Sequence, residues 1–148
     1  VDRQNPARVM RALEVTLASG RPFSELRSGA KAPRNFKIVK TGIDIPRAEL
    51  YSRIDRRVDA MVSSGLEDEA RSVFHLKHLS ALNTVGYKEL FSYFEGQISR
   101  DEAVELIKRN SRRYAKRQLT WFRRDDSVTW FDNKRIGEIE NFIKKFAW

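Results

Sequence analysis

Apolar residues recur along the chain mostly at helical spacing, and two short runs favour β-strands instead. Asn5 and Pro6 are typical of a helix N-cap and first turn, and Gly20 is typical of the position after a helix end. Between these signals the apolar residues share one face of a predicted helix: Val9, Met10, Leu13 and Leu17. A basic loop is predicted next, over residues 28–35.

The pattern then predicts a strand, four helices, a second strand and a last helix. The strands are predicted over 36–43 and 128–131. The helices are predicted over 46–64, 67–76, 83 or 84 to 94, and 99–123, with a last one marked by Ile136, Ile139, Phe142, Ile143 and Phe146. Gly65 and Gly96 mark helix ends, and Ser99 with Glu102 predicts a capping box at the start of the longest helix. Residues 125–127 are a predicted turn.

The fold class that follows is mainly α with two short β-strands. Two isolated short strands are rarely stable alone. We therefore expect them to be pieces of a larger sheet, most of which lies outside this chain.

Composition excludes several classes of protein. The chain has 148 residues, 41% of them hydrophobic and 33% charged, which is ordinary for a globular domain. It has no cysteine, so disulfide scaffolds, cysteine zinc sites and thiol catalysis are excluded. No apolar run approaches about 18 residues, and no signal peptide is visible, so no membrane association is expected. Because the sequence opens at Val1 rather than Met, we expect a fragment or a processed product.

Positive charge is concentrated in the longest predicted helix. Lys and Arg total 29 and Asp and Glu total 20, a net charge of +9 that favours polyanionic partners. Between Lys108 and Arg124 there are eight basic residues and no acidic one. A predicted cationic ridge of roughly 20 Å on one helix face comprises Arg109, Arg112, Lys116 and Arg123. Such a ridge fits a phosphate backbone, and the alternative is an ordinary solvated face.

Polar residues lie on the opposite, apolar side of that helix. Its predicted stripe contains Ile107, Tyr114, Gln118 and Trp121, and the polar residues at core-facing positions are Asn110, Ser111 and Gln118. Buried amides and hydroxyls need hydrogen-bond partners. They either tie the helix to neighbouring backbone or form a cavity wall that contacts a ligand or an extruded base.

Two further segments could bind anions. Arg57 is predicted inside the apolar stripe of the 46–64 helix, and Arg53 borders it. The alternatives are a structural salt bridge or an arginine held for a phosphate or pyrophosphate. Residues 83–88 combine a helix start with a glycine, which favours anions weakly. His75 and His78 lack a third ligand nearby, so no metal site is expected, and the chain contains no GxxxxGK[ST] or other complete catalytic motif.

Three segments together resemble one family, the bacterial tRNA dimethylallyltransferases (tRNA isopentenylpyrophosphate transferases). The segments are 8–15 (RVMRALEV), 83–90 (NTVGYKEL) and 114–123 (YAKRQLTWFR). The resemblance covers essentially the whole chain, as the C-terminal half of the family. It implies a P-loop-like α/β core with a helical insertion domain that grips the tRNA anticodon stem-loop. Residues 1–30 would end the insertion domain, and residues 36–148 would return to the core.

The resemblance also implies an activity, in which a dimethylallyl group moves from dimethylallyl diphosphate to N6 of adenine 37 in tRNA. It implies tRNA contacts at Arg8, Arg11, Asn83, Thr84, Val85, Gly86, Tyr87, Lys88, Lys116, Arg117, Gln118, Trp121 and Arg123. It places Arg53 or Arg57 near the diphosphate. A cytoplasmic monomer is expected.

The phosphate-binding loop and the general-base aspartate of the family belong to its N-terminal half, and the Mg²⁺ of the intact enzyme is expected to bind through that half. No catalytic or metal-binding residue is therefore expected here, and the chain should not catalyse transfer alone. Two alternatives stay open: a non-catalytic helical nucleic-acid-binding module, which an upstream GxxxxGK[ST] would exclude, and a protein-interaction domain with an acidic partner.

Overall fold

The computed structural model describes residues 3–27 and 35–146. These residues belong to two compact units, Val1–Lys37 and Ile38–Trp148. The helices are α1 (Pro6–Ser19), α2 (Phe23–Leu26), α3 (Arg47–Ser63), α4 (Leu66–Ser72), α5 (Tyr87–Phe94), α6 (Arg100–Phe122) and α7 (Ile136–Lys144). The strands are β1 (Lys40–Asp44) and β2 (Val128–Asp132). None of the helices within the described ranges is long and apolar enough to cross a bilayer.

The first helix has the ends that the sequence predicts. The side chain of Asn5 accepts a hydrogen bond from the backbone N–H of Arg8 at 3.2 Å, and Gly20 adopts a left-handed φ of 65° just past the helix. Its apolar residues Met10, Leu13 and Leu17 are exposed within the described residues. Most of the predicted basic loop, residues 28–34, lies outside the described residues.

The core of the second unit lies among four helices, α3 to α6. Its buried apolar residues are Val58, Leu66, Ala70, Leu90, Phe91, Ala103 and Ile107. Phe74 closes one side of this core, with its ring centroid 5.4 Å from that of Phe91 and 5.5 Å from that of Phe94. Both α3 and α5 pack along α6, so the longest helix is the support for the unit.

Helix boundaries follow the prediction closely at α3 and less closely at α4 and α5. α3 begins directly after Pro46 and ends before Gly65, whose φ of 100° a side chain would strain. The helix predicted over 67–76 ends at Ser72 and continues as a 3₁₀ turn. α5 starts at Tyr87 instead of residue 83 or 84, because Gly86 has φ 109° and ψ −69°, which are not helical.

The two strands pair with each other in parallel, from Lys40 opposite Val128 to Asp44 opposite Asp132. The first strand begins at Lys40, so its predicted start at residue 36 is wrong. The reason is that β2 has only five residues with which β1 can pair. Gly42 faces Trp130, and a β-carbon built on Gly42 would lie 2.7 Å from the indole ring. The glycine therefore makes room for the ring on that face of the strand pair.

Candidate nucleic-acid interface

α6 carries the candidate interface, and its two halves have different surroundings. The helix starts at a cap in which Ser99 Oγ accepts the N–H of Glu102 at 3.2 Å, and at about 1.5 Å per residue it is roughly 35 Å long. Ala103 and Ile107 in its first half are almost fully buried. Tyr114 and Trp121 in its second half are exposed. Because α5 has only eight residues, it covers the first half of α6 alone. Within the described residues, the side of α6 that carries Tyr114 and Trp121 is left exposed.

The predicted cationic ridge is wrong for two of its four members. Arg112 donates to the carboxylate of Asp55 on α3. Arg123 donates to both carboxylate oxygens of Asp44 at the end of β1, at 2.9 and 3.0 Å. These pairs neutralise the charge that the ridge required.

Aspartates on the neighbouring helix α3 neutralise part of the charge on α6. Lys108 pairs with Asp59 at 2.7 Å, and this contact raises the pKa of Lys108. Arg112, one turn further along α6, pairs with Asp55, which is one turn earlier on α3. The two ion pairs therefore connect the helices in antiparallel order. The sequence signal was present, because Asp55 and Asp59 lie one turn apart on the helix that packs against α6.

Four further cations lie on an adjacent face of α6 and just past its end, a surface that we call the open cationic face: Arg113, Lys116, Arg117 and Arg124. These side chains line a cleft of about 450 Å³ together with Thr120 and Trp121. All four are exposed, and no ion pair joins them to a carboxylate within residues 3–27 and 35–146. The sequence analysis missed Arg113 and Arg124 as site residues, although their spacing with Lys116, Arg117 and Trp121 repeats one helix face.

Aromatic rings accompany the open cationic face. Trp121 is 66% exposed, and its ring packs edge-on against that of Phe122 with centroids 4.9 Å apart. The guanidinium of Arg117 lies 5.8 Å from the centroid of the exposed Tyr114 ring. Exposed aromatic rings among cationic side chains can stack on unpaired bases while the cations contact phosphates. The arrangement is therefore suited to RNA that presents both a backbone and an accessible base.

The predicted core-facing position of Gln118 is wrong, and so are those of Tyr114 and Trp121. Gln118 lines a groove of about 840 Å³ between α6 and the two strands, where Ile43, Leu119 and Trp130 also lie. This agrees with the cavity-wall alternative for Gln118. Asn110 is half-buried, and its side-chain amide donates to Glu89 Oε1 at 2.7 Å, so it ties α6 to α5 through a side chain.

The segment 83–88 divides into exposed and packed residues. Asn83, Thr84, Val85 and Lys88 are exposed, whereas Gly86 is buried. Tyr87 is half-buried; its ring stacks on that of Phe91 with centroids 6.0 Å apart, and its hydroxyl donates to Glu69. That hydrogen bond to a carboxylate raises the pKa of Tyr87. Asn83, Thr84, Val85 and Lys88 are therefore the residues of this segment whose side chains a partner can reach.

The prediction that Arg57 faces the core is wrong, because Arg57 is exposed. The buried face of α3 is centred on Val58, and Arg57 lies one residue, or about 100°, away from it. Arg53 is half-exposed and pairs with Glu49 at 2.6 Å. These arginines are therefore surface cations on α3.

The remaining predicted residues lie on the surface as well. Arg8 is exposed on α1, and Arg11 pairs with Glu14 at 3.2 Å one turn along. His75 and His78 are exposed. Over the described ranges no group of three or more histidine, aspartate or glutamate side chains could hold a metal ion. These residues do not fit a metal site.

Curated relatives and solved structures agree on one kind of protein. A tRNA dimethylallyltransferase from Cytophaga hutchinsonii is 51% identical over 144 residues, which are 97% of this chain and 47% of that protein. Another from Porphyromonas gingivalis is 56% identical over 131 residues, covering 88% of this chain and 44% of that protein. The chain thus spans about half the length of these relatives.

The crystal structure of the full-length tRNA isopentenylpyrophosphate transferase from Bacillus halodurans matches 98% of this chain and 46% of its own, at a TM-score of 0.70 and 40% identity. The corresponding enzyme from Staphylococcus epidermidis matches with a TM-score of 0.69 and 35% identity. The predicted fold class is thereby confirmed: a mostly helical chain with two short strands, corresponding to a C-terminal portion of this fold. A family model described as IPP transferase matches residues 1–125, which is most of the sequence, and the chain therefore belongs to the IPP transferase family.

Proposed function

We propose that this chain supplies RNA contacts to an enzyme that transfers a dimethylallyl group from dimethylallyl diphosphate to N6 of adenine 37 in tRNA. The names and identities of its relatives support a tRNA-modifying transferase. The structural observation that carries the proposal is the open cationic face beside the exposed Trp121. Cations without carboxylate partners are available for phosphate, and the indole is available for a base.

The proposed RNA contacts fall on three stretches of the chain. On α6 and just after it they are Lys116, Arg117, Gln118, Trp121 and Arg123, to which we add Arg113 and Arg124 because they line the same cleft. Before and in α5 they are Asn83, Thr84, Val85 and Lys88, the exposed residues of the predicted segment, and on α1 they are Arg8 and Arg11. Arg123 would have to exchange Asp44 for phosphate, so we expect it to contribute less than Lys116.

The proposed reaction is a substitution at the allylic carbon of the donor. The adenine must first leave its stack, because its N6 is otherwise out of reach. The N6 lone pair then forms a bond to the allylic carbon while the bond from that carbon to the diphosphate oxygen breaks, and N6 loses a proton to a base. We place that base, the phosphate-binding loop and the Mg²⁺ requirement in the rest of the enzyme. Arg53 or Arg57, both exposed on α3, would face the departing diphosphate.

The finer assignments belong to the same proposal. The RNA is the tRNA anticodon stem-loop, residues 1–30 are the end of a helical insertion domain, and residues 36–148 are part of the P-loop-like core. The enzyme acts in the cytoplasm as a monomer.

Lys116→Ala in the full-length protein tests the proposal. Loss of one phosphate contact should weaken binding of an anticodon stem-loop RNA and reduce the slope of log affinity against log salt by about 1. The measurement is fluorescence anisotropy across a salt series. Lys144→Ala removes the same charge from α7, where Lys144 pairs with Glu140, and should leave the slope unchanged.

Equal effects of the Lys116 and Lys144 variants would show that only net charge matters and would contradict the proposed interface. RNA binding with no prenyl transfer by the full-length protein would favour the non-catalytic RNA-binding alternative. Preference for an acidic polypeptide over RNA would favour the protein-interaction alternative.

A further inference from the structure

A carboxylate is buried at the start of α5 without a cation. Glu89 is 6% exposed and is the one charged residue in the described ranges that is buried. Its Oε2 accepts the backbone N–H of Gly86 at 2.8 Å, and its Oε1 accepts the side-chain amide of Asn110 at 2.7 Å. Within the described part of the chain it forms no ion pair. Both oxygens are thus held by neutral donors from two different elements.

Glu89 is at the third position of α5, where a glutamate commonly caps the N–H of the N-cap residue, and this role accounts for its contact with Gly86 but not for its burial or its contact with Asn110. The neighbouring residues Leu90 and Phe91 are buried in the apolar core. Moving a carboxylate out of water is costly even when it is hydrogen-bonded, and an apolar side chain of similar size avoids that cost. A carboxylate does offer two acceptors at fixed separation, which an apolar side chain cannot. The useful property of Glu89 is therefore the geometry that it imposes on its donors.

That geometry fixes the turn before α5. Gly86 is buried with φ 109° and ψ −69°, a backbone conformation that side chains rarely adopt. Asn83, Thr84 and Val85 precede it and are exposed, so few packing contacts restrain them. The Glu89 hydrogen bond to Gly86 restrains the turn from its buried side.

The second hydrogen bond of Glu89 reaches the helix that carries the open cationic face. Asn110 lies on α6, one turn before Arg113 and six residues before Lys116. At about 1.5 Å per residue, Lys116 is roughly 9 Å along the same rigid helix. Glu89 therefore links the exposed turn 83–85 to the open cationic face through one side chain and one helix.

We propose that Glu89 and Asn110 are a positioning pair that holds the turn 83–86 at a fixed place relative to the open cationic face, so that one RNA loop contacts both. This inference rests on the proposed RNA-binding function. Neither residue touches RNA. They act by pre-organisation, which improves affinity by removing the cost of ordering the turn on binding.

Substitutions of the pair in the full-length protein test this inference. Glu89→Ala and Asn110→Ala should each raise the dissociation constant for an anticodon stem-loop RNA, and KM for tRNA, by about tenfold, since one or two hydrogen bonds that hold the turn are lost. The turnover number and KM for dimethylallyl diphosphate should stay within about twofold. Glu89→Gln should restore RNA affinity, because its oxygen can accept from Gly86 while a rotated Asn110 amide accepts from its nitrogen.

A matched core variant separates positioning from stability. Ile107→Ala creates a cavity on α6 one turn from Asn110, at a residue that is 1% exposed, and it should lower the melting temperature without raising the dissociation constant for RNA. An equal rise for Ile107→Ala and Asn110→Ala would overturn the inference. So would unchanged RNA affinity in Asn110→Ala, which keeps the test decisive if Glu89→Ala does not fold. If the unsubstituted protein binds no RNA, the proposed function fails first.

Discussion

The partner that faces each cation decides its role in this chain. Arg112 and Lys108 serve the contact between α6 and α3, because aspartates lie opposite them. Lys116 and Arg113 have the same charge and lie within two turns, yet they face solvent. Both pairs are partly exposed to solvent, and surface ion pairs contribute about 0–1 kcal/mol each, so one consequence of pairing is to remove a charge from the surface that we propose for RNA.

Asp125 makes a pH-dependent contribution to stability at the residue scale. Hydrogen bonds from Lys40 and from Ser127 lower the pKa of Asp125 from 3.8 to about 2. A carboxylate whose pKa is lower in the folded state stabilises that state above its unfolded pKa and loses this effect as pH falls. Asp125→Asn should therefore lower the melting temperature above pH 3.8, and the difference from the unsubstituted chain should close between 3.8 and about 2.

The measurement is a series of thermal melts across that pH window. Asp126→Asn is the control, since Asp126 is the exposed neighbour in the same turn. A melting-temperature difference for Asp125→Asn that is the same at both ends of the window would show that its charge is not what stabilises the turn.

At the scale of elements, α6 combines a structural half with a half available for binding. Its first half is fixed by α3 and α5, and its second half presents the open cationic face and lines the groove along the strands. Because the helix is continuous, packing of its first half in the core also fixes the position of the surface that we propose for RNA. Sites on regular elements are held more accurately than sites on loops.

The strand pair depends on a close contact between Gly42 and Trp130. A methyl group at Gly42 would lie 2.7 Å from the indole, so Gly42→Ala should displace the ring or the strand and cost about 1–3 kcal/mol of unfolding free energy. Gly137→Ala is the matched control, because nothing lies within 4 Å of its β-carbon and its helical position favours alanine. Chemical denaturation measures both variants. Equal stability of the two would contradict the proposed packing.

At the scale of the whole molecule, the chain matches nearly all of its own length to relatives that are about twice as long. It contains no phosphate-loop motif, and the described residues do not fit a metal site. The open cationic face is nevertheless built entirely from residues of this chain. We therefore expect this chain to bind RNA without catalysing prenyl transfer.

We expect the 148-residue chain, when folded, to bind an anticodon stem-loop RNA but to transfer no dimethylallyl group to it. Incubation with tRNA and radiolabelled dimethylallyl diphosphate measures transfer, and circular dichroism checks folding. The full-length protein is the positive control. Incorporation of label by the chain alone would mean that the groups required for transfer are all present within it.

Elements were more predictable from the sequence than the site was. Asn5 and Gly20 bound α1 because caps depend on local backbone chemistry, which the sequence carries directly. The burial of Arg57 and Gln118 was predicted wrongly, since it depends on where neighbouring helices begin and end. The pairing of Arg123 with Asp44 joins residues 79 positions apart, which periodicity cannot show.

The two-stranded sheet affects how the separate polypeptide is expected to behave in solution. In the part that the structure describes, β1 and β2 hydrogen-bond only to each other, so the outer edge of each strand lacks a ladder partner. Unpaired strand edges beside an apolar groove promote self-association of the chain. We expect the separate polypeptide to aggregate at high protein concentration despite its net charge of +9. Dilute samples should aggregate less.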